Sequence, residues 1–133
     1  MSNYFENIET LTKNNNNYRK VISTNSYIQL VLMSLKPGEE IGLEVHPYLD
    51  QFFRIEKGEG QATIGTKEYP LKNGSVIIVP AGTQHNIKNM SETDSLKLYS
   101  IYSPPNHPPN REQQDKPKKD GGYKQKKYKL NYY

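Results

Sequence analysis

The sequence predicts an all-β fold, a sandwich or barrel of about ten short strands followed by a basic C-terminal tail. Runs rich in Val, Ile, Leu, Phe and Tyr recur between residues 18 and 102 and are punctuated by Gly, Pro and Asn turn signals. Almost nowhere does the apolar pattern follow the 3.6-residue period of a helix. After Tyr102 the composition changes abruptly to proline, lysine and tyrosine, which cannot bury enough apolar area to order itself alone.

Taken in order, residues 1–17 form a lead with a short helical start that runs into four asparagines, Asn14, Asn15, Asn16 and Asn17, read as a loop. Strands are expected at 18–24 and 27–35, parted by the turn-prone Asn25 and Ser26. The second is apolar on both faces and should be covered on both sides. Pro37 and Gly38 end it, 42–46 resumes an extended course, and Pro47 breaks it. Over 50–56 the pattern alternates, with Gln51, Phe53 and Ile55 on one face and Asp50, Phe52, Arg54 and Glu56 on the other. Turns at Gly58 and Gly60, at Gly65 and Thr66, and at Asn73 and Gly74 separate strands at 61–64, 67–71 and 75–79. Pro80, Ala81 and Gly82 turn the chain into a strand at 85–88, and the last strand is expected at 95–102. These boundaries give a domain over 18–103 and a flexible tail over 104–133.

At 133 residues the chain is one domain with an attached tail, large enough to bury a core without disulfides. It has no cysteine, which excludes thiolate metal sites and thiol nucleophiles. No apolar run approaches the ~20 residues of a membrane-crossing helix and the start lacks a signal-peptide pattern, so a soluble cytoplasmic protein is expected. The net charge of +4 belongs to the tail, where eight basic residues face three acidic ones. The first 103 residues carry ten basic and eleven acidic groups and show no basic stripe. Weak nucleic-acid binding, if the protein has any, is therefore a property of the tail, and the plainer reading of the tail is a solvated extension.

The chemistry concentrates between Gly38 and Asn89, about forty per cent of the chain, which holds two of the three histidines. Glu44 and His46 stand two apart in an extended piece and so point to one face. Gln51 opens the next strand, and His85 follows the turn at Gly82. Four groups able to bind a metal come from three separate extended segments, and rigid strands hold ligands better than loops do. Asp50 is an alternative to Gln51, although its parity opposes Phe53 and Ile55. His107 sits in a Pro-rich segment and reads as a linker residue.

The spacing resembles the paired motifs of the cupin superfamily. The first motif, G-x5-H-x-H-x3-4-E-x6-G, is matched in its gaps by Gly38, Glu44, His46, Gln51 and Gly58, with Glu in place of the first His and Gln in place of the Glu. The second, G-x5-P-x-G-x2-H-x3-N, is matched at every fixed position by Gly74, Pro80, Gly82, His85 and Asn89. The resemblance implies a double-stranded β-helix, or jelly-roll barrel, that commonly forms homodimers. It also implies a divalent metal, Fe, Mn, Ni, Co or Zn, on Glu44, His46, Gln51 and His85, with the carboxylate moved between ligand positions rather than lost. Cupins host several reactions, so function has to be argued from the site. The leading expectation is a metal-dependent, sugar isomerase-like or epimerase-like enzyme acting on a small polar molecule, with Glu44 or Tyr48 as the proton carrier. The alternatives are an Fe(II) dioxygenase using His46, His85 and Glu44, or a metal-binding or ligand-binding protein without turnover.

Overall fold

The computed structural model describes residues 2–118. The flexible end and the tail-borne nucleic-acid binding expected from the sequence fall largely on residues 119–133, outside the described residues. Chain order is α1 (Ile8–Asn14), β1 (Arg19–Thr24), β2 (Gln29–Leu35), β3 (Asp50–Lys57), β4 (Gly60–Ile64), β5 (Lys67–Leu71), β6 (Val76–Val79), β7 (His85–Asn89), β8 (Leu96–Ser103) and β9 (Glu112–Gln113). The all-β expectation holds, and eight of the nine strands fall within a residue or two of their predicted positions.

Two antiparallel sheets face each other, one of six strands in the order β6-β3-β8-β2-β1-β9 and one of three in the order β5-β4-β7. Between them lies a core that includes Val31, Met33 and Leu35 of β2, Phe53 and Ile55 of β3, Ile87 of β7 and Leu96 and Leu98 of β8. β2 and β8 pair in register from Gln29↔Tyr102 to Leu35↔Leu96, so their inward residues alternate together. The outer face of β2 is covered too, as its apolar run requires. There α1 packs its buried Thr12, and the Lys97 ammonium donates to Asn16 Oδ1 and Ser34 Oγ at 3.0 Å each and to the Asn15 carbonyl. The asparagine run is thus a loop, as its composition predicts, and a buried lysine anchors it.

The extended segment that leads to His46 joins the smaller sheet through isolated bridges, Glu40↔Lys88 and Glu44↔His85, rather than as a strand of its own. Gly42, at φ +101°, and Pro47 bracket it and keep it from becoming a continuous strand.

The predicted boundary at Ser103 requires correction. Residues 104–118 are described, and Pro105, Asn106 and His107 are buried. Glu112 and Gln113 pair with Lys20 and Arg19 of β1 as the edge strand β9. A side chain drives this ordering. Gln29, fully buried on β2, accepts the backbone N–H groups of Asn106 and His107 at 3.0 and 2.9 Å and donates to the His107 carbonyl at 2.7 Å. A Pro-rich segment that lacks apolar area of its own is held by satisfying its backbone groups inside the barrel. Among the described residues no helix is long and apolar enough to cross a membrane.

Candidate metal centre

Backbone pairing brings the two motif halves together. Glu44 N–H donates to the His85 carbonyl and His85 N–H to the Glu44 carbonyl, both at 2.9 Å, and Gly82 N–H donates to the His46 carbonyl at 2.9 Å. Glu44 and His85 are thus direct cross-strand neighbours, and His46 follows Glu44 on the same face. Gly82, at φ +82°, permits the turn that feeds His85 into β7. Asp50 supports the same turn from outside, its Oδ1 accepting Ala81 N–H at 2.9 Å. Asp50 is exposed and spent on that turn, so the alternative that made it a ligand is set aside.

Glu44, His46 and His85 each offer a ligand atom, and these atoms lie within 4.8 Å of one another. The His46 and His85 rings are 5.3 Å apart between centroids, and Glu44 Oε2 is 4.0 Å from His46 Nε2. Both histidines are buried, while the Glu44 side chain keeps 17% of its surface open to solvent. His85 Nδ1 lies 3.0 Å from the Thr83 carbonyl, which can only accept, so Nδ1 carries the proton and Nε2 holds the lone pair. That Nε2 is buried and takes no hydrogen bond among the described residues. A buried acceptor left unsatisfied is costly unless something fills the position, and a cation does so. The donor set of two imidazoles and one carboxylate fits Fe(II) and its neighbours Mn, Co, Ni and Zn.

Gln51 projects from the inward face of β3 and is buried. Its Nε2 donates to Ser100 Oγ at 2.8 Å, while its Oε1 is buried and accepts no hydrogen bond among the described residues. The amide therefore presents an oxygen, the atom a metal would take. Tyr48 is 59% exposed in the turn after His46, and the buried phenol beside the cluster is Tyr102. The Tyr102 ring meets His46 edge-on at 5.8 Å and His107 edge-on at 5.2 Å, and its hydroxyl is 3.2 Å from His107 Nε2. Burial, then the Glu44 carboxylate, push the Tyr102 hydroxyl above its ordinary pKa, so it stays protonated. His107, read from sequence as a linker residue, is instead buried in the barrel. The signal for it was Gln29, a polar residue at an inward position of an apolar strand, which needs buried partners.

A jelly-roll barrel carrying a two-histidine, one-carboxylate cluster defines a cupin with a candidate metal site. The sequence comparison agrees: the cupin domain family matches residues 31–102, and the chain belongs to that family. It is 46% identical over 138 aligned residues to the uncharacterized protein L612 of Acanthamoeba polyphaga mimivirus, covering 97% of this chain and 86% of that one. It is 50% identical over 108 residues to the uncharacterized protein YrkC of Bacillus subtilis, covering 77% of this chain but only 58% of YrkC. Among solved structures, the BH2720 protein of Bacillus halodurans superposes with a TM-score of 0.82 at 41% identity, covering 85% of this chain and 89% of that one.

Proposed function

We propose that the barrel binds a divalent transition metal on Glu44, His46 and His85, with Gln51 Oε1 as a fourth oxygen, and acts on a small polar molecule. The observation that carries this is the meeting of ligand atoms of Glu44, His46 and His85 within 4.8 Å of one another, beside a buried His85 Nε2 that accepts no hydrogen bond among the described residues. A metal there would supply Lewis acidity or, as Fe(II), oxygen chemistry. The protein's part is to hold the donors rigid. Thr83 fixes the His85 tautomer, and the Glu44↔His85 bridge fixes the spacing of the two ligand-bearing segments. Glu44, the most open of the three, marks the side from which a ligand would enter.

Of the reactions that the sequence left open, sugar isomerisation needs a proton carrier separate from the metal ligands. Glu44 is one of the clustered donors and Tyr48 is exposed, so neither is well placed for that work. Two imidazoles and one carboxylate are the donor set of non-haem Fe(II) oxygenases, and the cluster favours this class. The deciding experiment is metal analysis of protein purified without chelators. It is followed by oxygen uptake with Fe(II) and a panel of small hydroxy acids, keto acids and sugars. Uptake that needs Fe(II) and disappears in His85→Ala supports the oxygenase. Isomerisation of a panel sugar without oxygen uptake restores the isomerase reading, and bound metal with no turnover identifies a binder. Wild-type protein that takes up no divalent metal sinks the metal reading.

The macromolecular partner we propose is a second copy of the chain. Ile78, Phe52, Ile101 and Leu30 lie in one register row across β6, β3, β8 and β2, on the outer face of the six-stranded sheet. Ile78 is 65% exposed and its row neighbours are half-buried, which is an apolar surface suited to a twofold contact.

A further inference from the structure

Arg19 is a buried cation with no acidic partner among the described residues. It stands on β1 two residues before the core residue Val21, and its cross-strand neighbour on β2 is the core residue Met33. Both relations put its side chain on the inner face of the six-stranded sheet. It is 2% exposed. Its Nη1 donates to Gln113 Oε1 of β9, and its guanidinium carbon lies 5.0 Å from the centre of the Tyr18 ring. Its Nε–H is buried and finds no acceptor among the described residues, and no carboxylate among them forms an ion pair with it.

Such an arrangement is expensive. A guanidinium taken out of water needs an anion and acceptors in exchange, and an arginine cannot escape the cost by shedding its proton. Anchoring β9 does not call for a charge, since a neutral amide can donate to Gln113 as well. A charge kept inside the barrel with one N–H unused breaks the rule for buried polar groups, and such breaks mark functional positions.

We propose that Arg19 is a binding residue for the carboxylate group of the small molecule that the barrel takes up. Its Nε–H donates to a carboxylate oxygen, and its charge balances the carboxylate. The inference rests on the reading above that the ligand is a small polar molecule, and it makes that molecule an acid. One cation matches one carboxylate, whereas a phosphate monoester carries about −1.5 to −2 at neutral pH. Gln51, the proposed fourth metal donor, projects from the same inner face of the same sheet, on β3. The interior between the sheets thus presents two different attractions, a Lewis-acid site and a fixed positive charge. The Arg19 and Glu44 charges both act on the buried Tyr18 hydroxyl, in opposite senses, in keeping with one shared interior.

The test uses the full isotope-labelled chain, stripped of metal and then of chelator, and follows its arginine Nε–H signals by NMR. The chain has three arginines, Arg19, Arg54 and Arg111, and each signal is assigned through its own side-chain carbons. Acetate should move the Arg19 signal saturably and leave the other two in place. Acetamide, its neutral counterpart of the same shape, and chloride at equal ionic strength should not move it. Arg19→Lys keeps the charge and loses the Nε–H, and should bind acetate about tenfold more weakly, read from the acetate-induced rise in melting temperature. The wild-type signal decides the matter even where that variant fails to fold. Acetate that moves the Arg19 signal no more than chloride does overturns the proposal, and phosphate that moves it where acetate does not overturns the carboxylate. Co(II) binding without an acetate shift leaves the metal reading standing alone. An acetate shift in protein that binds no Co(II) sinks the metal reading and keeps this one.

Discussion

Gln29 and His107 are 78 residues apart in sequence and joined inside the barrel through the backbone of His107, N–H to Gln29 Oε1 at 2.9 Å and carbonyl to Gln29 Nε2 at 2.7 Å. This single amide satisfies three backbone groups of the segment after β8, since Asn106 N–H also reaches Gln29 Oε1. Replacing Gln29 by Leu would leave those groups buried without partners. At about 1–3 kcal/mol for each uncompensated group, the loss is a large part of a small domain's stability. Truncation after Ser103 should be as damaging, whereas truncation after Lys118 should leave the melting temperature within a few degrees of wild type. Thermal denaturation of the three variants decides this; equal stability of the two truncations would show that the segment does not belong to the fold.

The metal reading predicts ligand-linked stability. Divalent metal at about a hundred times its dissociation constant adds about 2.7 kcal/mol to the folded state and raises the melting temperature accordingly. In His85→Ala and Glu44→Gln the rise should vanish or shrink sharply, while the apo proteins keep their stability or gain some from the lost orphan acceptor at His85. Equal metal-induced shifts in wild type and His85→Ala would refute the assignment.

Much of this architecture was legible in the sequence, and the exceptions share a cause. Alternation in β3 put Gln51, Phe53 and Ile55 on the buried face, where they are found. The gaps around Glu44, His46 and His85 announced one site, and the three donors do converge. Local pattern worked because these residues lie on strands, where side-chain direction follows from counting. His107 and β9 were missed because nothing local orders them. Their structure depends on Gln29 and on β1, which lie more than seventy residues earlier. Tyr102 was read as a strand residue, and only the sheet register sets it against His46. Asp50 and Gln51 are neighbours of similar chemistry, and the turn contact to Ala81 is what separates their roles.

Alkaline titration should weaken the fold through its buried phenols. Burial, only partly offset by the neighbouring Arg19, pushes the Tyr18 hydroxyl from 10.0 up to about 12, and burial raises Tyr102 as well. Between these values the folded chain keeps protons that the unfolded chain has released, so stability falls as pH rises above 10. For Tyr18 alone the loss approaches about 2–3 kcal/mol by pH 12, at 1.36 kcal/mol per unit. Lys97 acts in the other direction. Burial, with Lys57 second, holds its ammonium below 10.5, so its contribution improves with pH until that value is passed. Denaturant midpoints at pH 9 and pH 11.5 should therefore drop steeply in wild type and less in Tyr18→Phe. The same slope in both would remove Tyr18 as the cause.

Two glycines should respond differently to alanine. At Gly82, φ +82°, an added Cβ meets nothing within 4 Å, so the cost is conformational, about 1–2 kcal/mol. Because that turn aims His85, the variant should also bind metal more weakly. At Gly58, φ +115°, the Cβ would lie 3.0 Å from the Ser95 carbonyl oxygen and 3.1 Å from a Leu96 methyl, so strain and crowding add together. Gly58→Ala should be the less stable of the two, with little effect on metal affinity once folded. A Gly82→Ala protein that is the less stable, or that binds metal as wild type does, contradicts this reading of the two turns.

The outer row of the six-stranded sheet sets the last prediction. Ile78 pairs with Phe52 and Phe52 with Ile101, and each points away from the core face that holds Phe53 and Ile77. In the proposed dimer a charge placed on this row would face its own image across the twofold axis, where desolvation and like-charge repulsion act together. If the second copy sits on this face, Ile78→Asp should shift the protein from the proposed dimer to monomer in light scattering and leave its thermal transition cooperative, because the barrel core is untouched. Wild-type protein that is already monomeric at high micromolar concentration would remove the second copy as the partner of this face.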